Sequence, residues 1–137
     1  MRTRLAAALC GVALTAGTLL SAPAASAQAS AYPTTPFDVT VANTYTRGTI
    51  TWYGRSVNVS GEIKAADAAN CRGTAVFTLT SAKVQLGSGD SATVCTSAPF
   101  SVNVEANVPG GAAIVRVCLD DGEYPPTYYL CKLYGHP

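Results

Sequence analysis

The chain has 137 residues, 48% hydrophobic and only 12% charged, with nine Lys+Arg against eight Asp+Glu. That length suits one ordinary domain, the sparse and balanced charge gives no basic face for nucleic acid, and the apolar content excludes a disordered chain. A single histidine excludes a two-histidine metal site within one chain.

Residues 1–27 read as a cleaved secretory signal peptide. Arg2 and Arg4 supply the positive start, Leu5 to Leu20 is uncharged and mostly apolar, and Ala25-Ser26-Ala27 offers the small residues that signal peptidase requires. The apolar run is interrupted by Gly11, Thr15, Gly17 and Thr18 and falls short of the roughly 20 residues of a membrane span. Cys10 lies too early in the run, after Leu9, for a lipid anchor and is expected to leave with the peptide. The exported chain then begins at Gln28 and keeps 110 residues, seven basic and eight acidic, with four cysteines. Residues 28–37, rich in Ala, Ser, Thr and Pro, read as a flexible leader, and 38–137 as one domain.

From Asp38 onward, period-2 alternation dominates. Expected strands are Asp38–Tyr45, Gly48–Tyr53, Ser56–Lys64, Gly73–Lys83, Ser91–Cys95, Phe100–Asn107, Ala112–Leu119 and Thr127–Tyr134. Val57, Val59, Gly61 and Ile63 share one face, and Val102, Val104 and Ala106 alternate with Ser101, Asn103 and Glu105. Gly54, Leu86–Asp90, Pro109-Gly110-Gly111 and Asp121-Gly122 mark reversals; Ala65–Ala69 suits a short helical turn. This pattern predicts an all-β antiparallel sandwich of about seven or eight strands, Ig-like or jelly-roll-like, with a small β-barrel as the alternative.

Four cysteines in a short exported chain point to disulfides. Cys71, Cys95, Cys118 and Cys131 lie 24, 23 and 13 residues apart, so no C-x-x-C pair is present to hold zinc. Three connectivities are possible. A hairpin folding about Asp120–Pro126 brings Cys118 and Cys131 near each other, which favours Cys118–Cys131 together with Cys71–Cys95.

The layout resembles a group of small exported actinomycete proteins of unknown function. The matching features are an Ala-rich leader, Val57-x-Val59-x-Gly61, a cysteine opening a strand at Cys71, Val115-Arg116-Val117-Cys118, and Cys131 before a short tail. The resemblance implies an exported β-sandwich with two disulfides and brings no activity or catalytic residue.

Candidate chemistry is thin. His136, between Gly135 and the terminal Pro137, reads as a frayed tail residue and not as a catalytic base held against a nucleophile. Asp120, Asp121 and Glu123 form the acidic cluster, placed in a hairpin loop where solvating the turn is the economical account. They lack the spaced ligands of a calcium loop and the surrounding cleft of a glycosidase. Asn58-Val59-Ser60 matches a glycosylation triplet but falls in a strand, and the cations are dispersed. The aromatic residues carry the most information. Trp52 and Tyr53, with Tyr124, Tyr128 and Tyr129, have the rings that stack on sugars or anchor partners. Strict alternation puts Tyr128 and Leu130 on one face and Tyr129 and Cys131 on the other. A tyrosine-rich core edge over the disulfide is therefore the more economical account, with an exposed patch as the alternative.

The sequence thus points to a secreted, non-catalytic module binding a polysaccharide of cell wall or environment, or an extracellular protein partner. The alternative is a secreted inhibitor of an extracellular hydrolase, presenting Asp120–Pro126 as a loop stiffened by Pro125-Pro126. No cofactor, metal, nucleic acid or membrane partner is expected, and the oligomeric state is not legible.

Overall fold

Alternation of β-branched and aromatic residues with polar ones builds eight strands in residues 31–137, the part of the chain that the computed structural model describes. They are β1 (Thr34–Val41), β2 (Thr44–Trp52), β3 (Ser56–Lys64), β4 (Gly73–Leu79), β5 (Gln85–Asp90), β6 (Ser97–Glu105), β7 (Ile114–Asp120) and β8 (Tyr128–Gly135). The signal-peptide reading lies outside these residues.

The strands form two antiparallel four-stranded sheets, sheet A in the order β1-β2-β3-β6 and sheet B in the order β5-β4-β7-β8. Ile50, Val57, Val59 and Val104 from sheet A meet Val76, Val115, Val117 and Leu119 from sheet B in a sealed core. Burying apolar surface between two sheets is the main favourable contribution to folding, and it requires the period-2 pattern on both inner faces. Polar groups caught inside are paired, as burial demands. The Thr74 hydroxyl donates to the Thr46 hydroxyl at 2.7 Å across the sheets, and Thr78 donates to the Glu105 carbonyl at 2.6 Å. The two sheets remain distinct, so the barrel alternative is not realised.

In sheet A one cross-strand row reads Phe37, Gly48, Gly61, Phe100. A Cβ on either glycine would collide with the backbone of the other strand. The two phenylalanines on the flanking strands fill the gap and meet edge-to-face at 6.3 Å.

Five expectations need correction. The leader does not extend to residue 37, because Thr34–Phe37 belong to β1 and Phe37 is buried. Pro36 is tolerated there because β1 is an edge strand and the side it shares with Asp38 faces away from β2. The Leu86–Asp90 segment is strand β5 and not a reversal, while Ser91–Cys95 contributes one isolated bridge, Arg72 to Val94. Ala65–Ala69 forms no helix; the Asp67 carboxylate instead accepts the backbone N–H groups of Ala69 and Asn70 at 2.9 and 3.0 Å. His136 is not frayed: its N–H donates to Ala113 at 3.0 Å, and its ring lies 4.9 Å from that of Trp52.

Both expected disulfides are present, Cys71–Cys95 and Cys118–Cys131. Cys118 and Cys131 stand directly opposite each other in the β7–β8 ladder. On the chain-entropy model, loops of these lengths stabilise the fold by roughly 3 kcal/mol each.

Candidate functional site

The five aromatic residues do not form one patch. Trp52 has only 2% of its surface exposed and belongs to the core; its indole N–H donates to Thr35 at 2.9 Å. Its even-numbered phase in β2, shared with Thr44, Thr46 and Ile50, turns it inward. Tyr53 is half-buried and stacks edge-on against Tyr32 at 4.6 Å. Trp52 sits beside His136, just past the end of β8, whereas Tyr128 and Tyr129 open that strand. At roughly 3.3 Å per residue, the two groups occupy opposite ends of the sandwich.

Tyr124, Tyr128 and Tyr129 do lie together at the β7–β8 end and are exposed. Their arrangement departs from strict alternation. The register shifts between Leu119 and Asp120, so Leu130 faces Leu119 while Tyr128 faces Asp120. This bulge adds a residue to β8. Tyr128 therefore shares the outer face with Cys131, and Leu130 lies on the inner face.

The bulge places Tyr128 edge-on to Phe77 of β4, ring centroids 6.1 Å apart. Phe77 also lies under the Arg116 guanidinium at 4.2 Å, and the Arg116 Nε is buried with no hydrogen-bond partner. Together with the β7–β8 loop, Phe77 and Tyr128 bound a pocket of about 330 Å³. Its lining is Phe77, Tyr124, Pro126 and Tyr128, the carboxylates Asp90, Asp120 and Glu123, and the hydroxyls of Ser88 and Ser91. Tyr129 turns to a neighbouring polar depression, where its ring lies 4.3 Å from the Arg72 guanidinium. A wider groove over the Gly48–Gly61 row is shallow and has no exposed ring.

The acidic residues hold the pocket wall in place. Asp120 is buried at the end of β7, and its Oδ1 accepts the Gly122 N–H at 2.8 Å. Gly73 faces it across the ladder, where a Cβ would collide with that same oxygen. Gly122 takes a φ of +70°, which glycine adopts without strain. Asp121 Oδ1 accepts the N–H groups of Glu123 and Thr127, both at 3.1 Å, closing the loop.

These roles separate the two carboxyls. Burial pushes Asp120 above its ordinary value; the Gly122 N–H opposes this, and the charges of Asp90 and Asp121 add to it. Asp121 is held below its ordinary value by the N–H groups of Thr127 and Glu123. The Tyr128 hydroxyl is raised by burial, then by Asp90 and Asp120. With Asp90, Asp120 and Glu123 in its lining, the pocket is rich in hydrogen-bond acceptors and has aromatic walls. Among the described residues, no three His, Cys, Asp or Glu side chains converge as a metal-ligand set.

The sequence pattern missed Phe77, Ser88, Asp90 and Ser91. Three of them lie in or beside β5, which the glycines had made look like a turn. The available signal was Phe77 itself, a large ring on the face of β4 opposite its core residues Val76 and Thr78. No protein-family model matches the chain, and neither a curated protein nor a solved structure does.

Proposed function

We propose that this chain is a secreted, non-catalytic binding module whose pocket under the β7–β8 loop receives a sugar unit of a polysaccharide. One observation carries the reading: three rings and three carboxylates line the same pocket. A sugar presents an apolar C–H face, which packs on tyrosine, and a rim of hydroxyls, which donate to carboxylates. Two disulfides are consistent with an oxidising compartment. The absence of a catalytic role is supported by the commitment of the Asp120 and Asp121 Oδ1 atoms to loop N–H groups.

Retention on insoluble cell-wall, chitin, cellulose and starch preparations tests this. Tyr128→Ala and Asp90→Asn are expected to lower retention on one of them about tenfold, matching the loss of one ring or one good acceptor. Retention on none of them, or retention unchanged in both variants, sinks the proposal.

A second reading, recognition of a protein such as a hydrolase, is favoured by Tyr124. This ring is 97% exposed on a loop whose base is tied down by Asp121. A pre-ordered loop with an exposed anchor loses little entropy on binding. Inhibition of secreted proteases or amylases that disappears in Tyr124→Ala supports it; no inhibition at micromolar protein removes it.

A further inference from the structure

A sandwich has four sheet edges, each a potential template for another strand unless something blocks it. Three are blocked here. On β1, Pro36 has no N–H, while the Asp38 N–H donates to the Tyr134 hydroxyl at 3.1 Å. The Asp38 carbonyl accepts from Tyr134 at 3.0 Å and from Lys132 Nζ at 2.8 Å. On β6, Pro99 interrupts the donor row, and the Glu105 carbonyl is taken by Thr78. On β5, six residues with two glycines and a register shift leave little regular edge.

β8 carries only the bulge at its start, beyond which Leu130–Gly135 pairs with β7 without a break. It runs eight residues without proline, and Tyr128, Tyr129, Leu130 and Leu133 are exposed along it. Its one charge, Lys132, reaches inward to Asp38 and does not guard the edge. The His136 N–H bonds to Ala113 on the β7 side, so by alternation the N–H and C=O groups of Cys131, Leu133 and Gly135 face away from β7.

We infer that β8 pairs antiparallel with β8 of a second copy of this chain, joining two B sheets into one eight-stranded sheet. The occupant must itself offer an unblocked edge, and among the described strands only β8 does. A two-fold axis at Lys132 sets Cys131 opposite Leu133 of the second copy, and Leu133 opposite its Cys131. Both pairs exchange two N–H···O bonds, and the contact is isologous, closing at two chains. Leu130 and Tyr134 pair on the inner side, and each Lys132 stays drawn to its own Asp38 carbonyl.

Sedimentation of the purified protein from micromolar to near-millimolar concentration, with amide hydrogen exchange, tests this. The expected result is a monomer–dimer equilibrium in which the amides of Cys131, Leu133 and Gly135 exchange about tenfold or more slowly at high concentration. Leu133→Pro deletes an outward N–H at an edge position that tolerates proline, and Leu133→Lys adds an edge charge; both are expected to give monomers that melt as folded domains. Should Leu133→Pro fail to fold, Leu133→Lys decides. A protein monomeric throughout the range overturns the inference, as does a dimer retained in Leu133→Lys with those amides still exchanging fast.

Discussion

Trp52 and Tyr53 are neighbours in the chain, yet Trp52, the last residue of β2, turns inward and becomes core while Tyr53, just past the strand, stays half-buried. The Trp52 assignment was therefore half legible: period 2 shows that both cannot point outward, but which one turns in depends on the phase of the facing sheet. Trp52→Ala is expected to cost about 3–5 kcal/mol in chemical denaturation, while Trp52→Phe should leave polysaccharide retention unchanged. Loss of retention in a folded Trp52→Phe protein would return this residue to the binding site. Asp120 and Asp121 are adjacent acids with opposite linkage. The folded chain holds the Asp120 proton to higher pH than the unfolded chain does, because burial raises its pKa above 3.8. Ionisation of Asp120 therefore lowers stability as pH rises from that value through its raised pKa. Asp120→Asn keeps an oxygen acceptor for Gly122 and cannot ionise. It is expected to match the parent in acid and exceed it above this window, by urea denaturation at a series of pH values. Asp121 has the opposite sign, since its lowered pKa gives stability above the ordinary carboxylate value that is lost as pH falls. Asp121→Asn should therefore be the weaker protein near neutral pH. A parent-minus-variant difference for Asp120→Asn that is flat across the acid range would exclude this account.

Five of the eight strands, β3, β4, β6, β7 and β8, lie close to their expected positions, because alternation and burial coincide there; β1 and β2 begin four residues earlier than expected, since the chain turns at Ala42-Asn43, inside the expected strand Asp38–Tyr45. β5 and the start of β8 escaped, each for a physical reason. In β5 the glycines serve close approach and not chain reversal: a Cβ at Gly87 would run into the Glu105 backbone, and one at Gly89 would lie 2.8 Å from the Val102 Cγ1. The crossing of β5 onto β6 requires those missing side chains, and glycine spacing alone does not distinguish this from a turn. Gly87→Ala is expected to destabilise the fold by about 1–3 kcal/mol. Gly54→Ala, with nothing within 4 Å of its Cβ, should be neutral or stabilising by up to about 1 kcal/mol. Equal midpoints for the two variants in thermal unfolding would argue against a packing role for β5. At β8 a single bulged residue reassigned Tyr128 from the Leu130 face to the outer one. Bulges leave little trace in the binary pattern, yet this one builds a wall of the pocket.

The sandwich and its disulfide pairing were legible because they follow from average properties: alternation over long stretches and one hairpin about Asp120–Pro126. The pocket was not, because it depends on which strands become neighbours. Asp90 and Tyr128 lie 38 residues apart and share a site only through the order β5-β4-β7-β8. That same order places β8 at the sheet edge, with Tyr128 on the outer face next to it. If β8 pairs with itself, one continuous sheet carries two pockets on one face, related by the two-fold axis. A single sugar unit gains nothing from this pairing, whereas a polymer spanning both pockets binds the second with an effective concentration set by their fixed separation. Leu133→Lys is therefore expected to leave the Kd for a short soluble oligosaccharide unchanged while weakening retention on the insoluble polymer about 100-fold or more. Tyr128→Ala, by contrast, should weaken both. Calorimetry with the oligosaccharide and depletion from solution by the polymer give the two readouts. A Leu133→Lys protein that is monomeric yet retained as strongly as the parent would separate the two features, leaving the pocket to act alone.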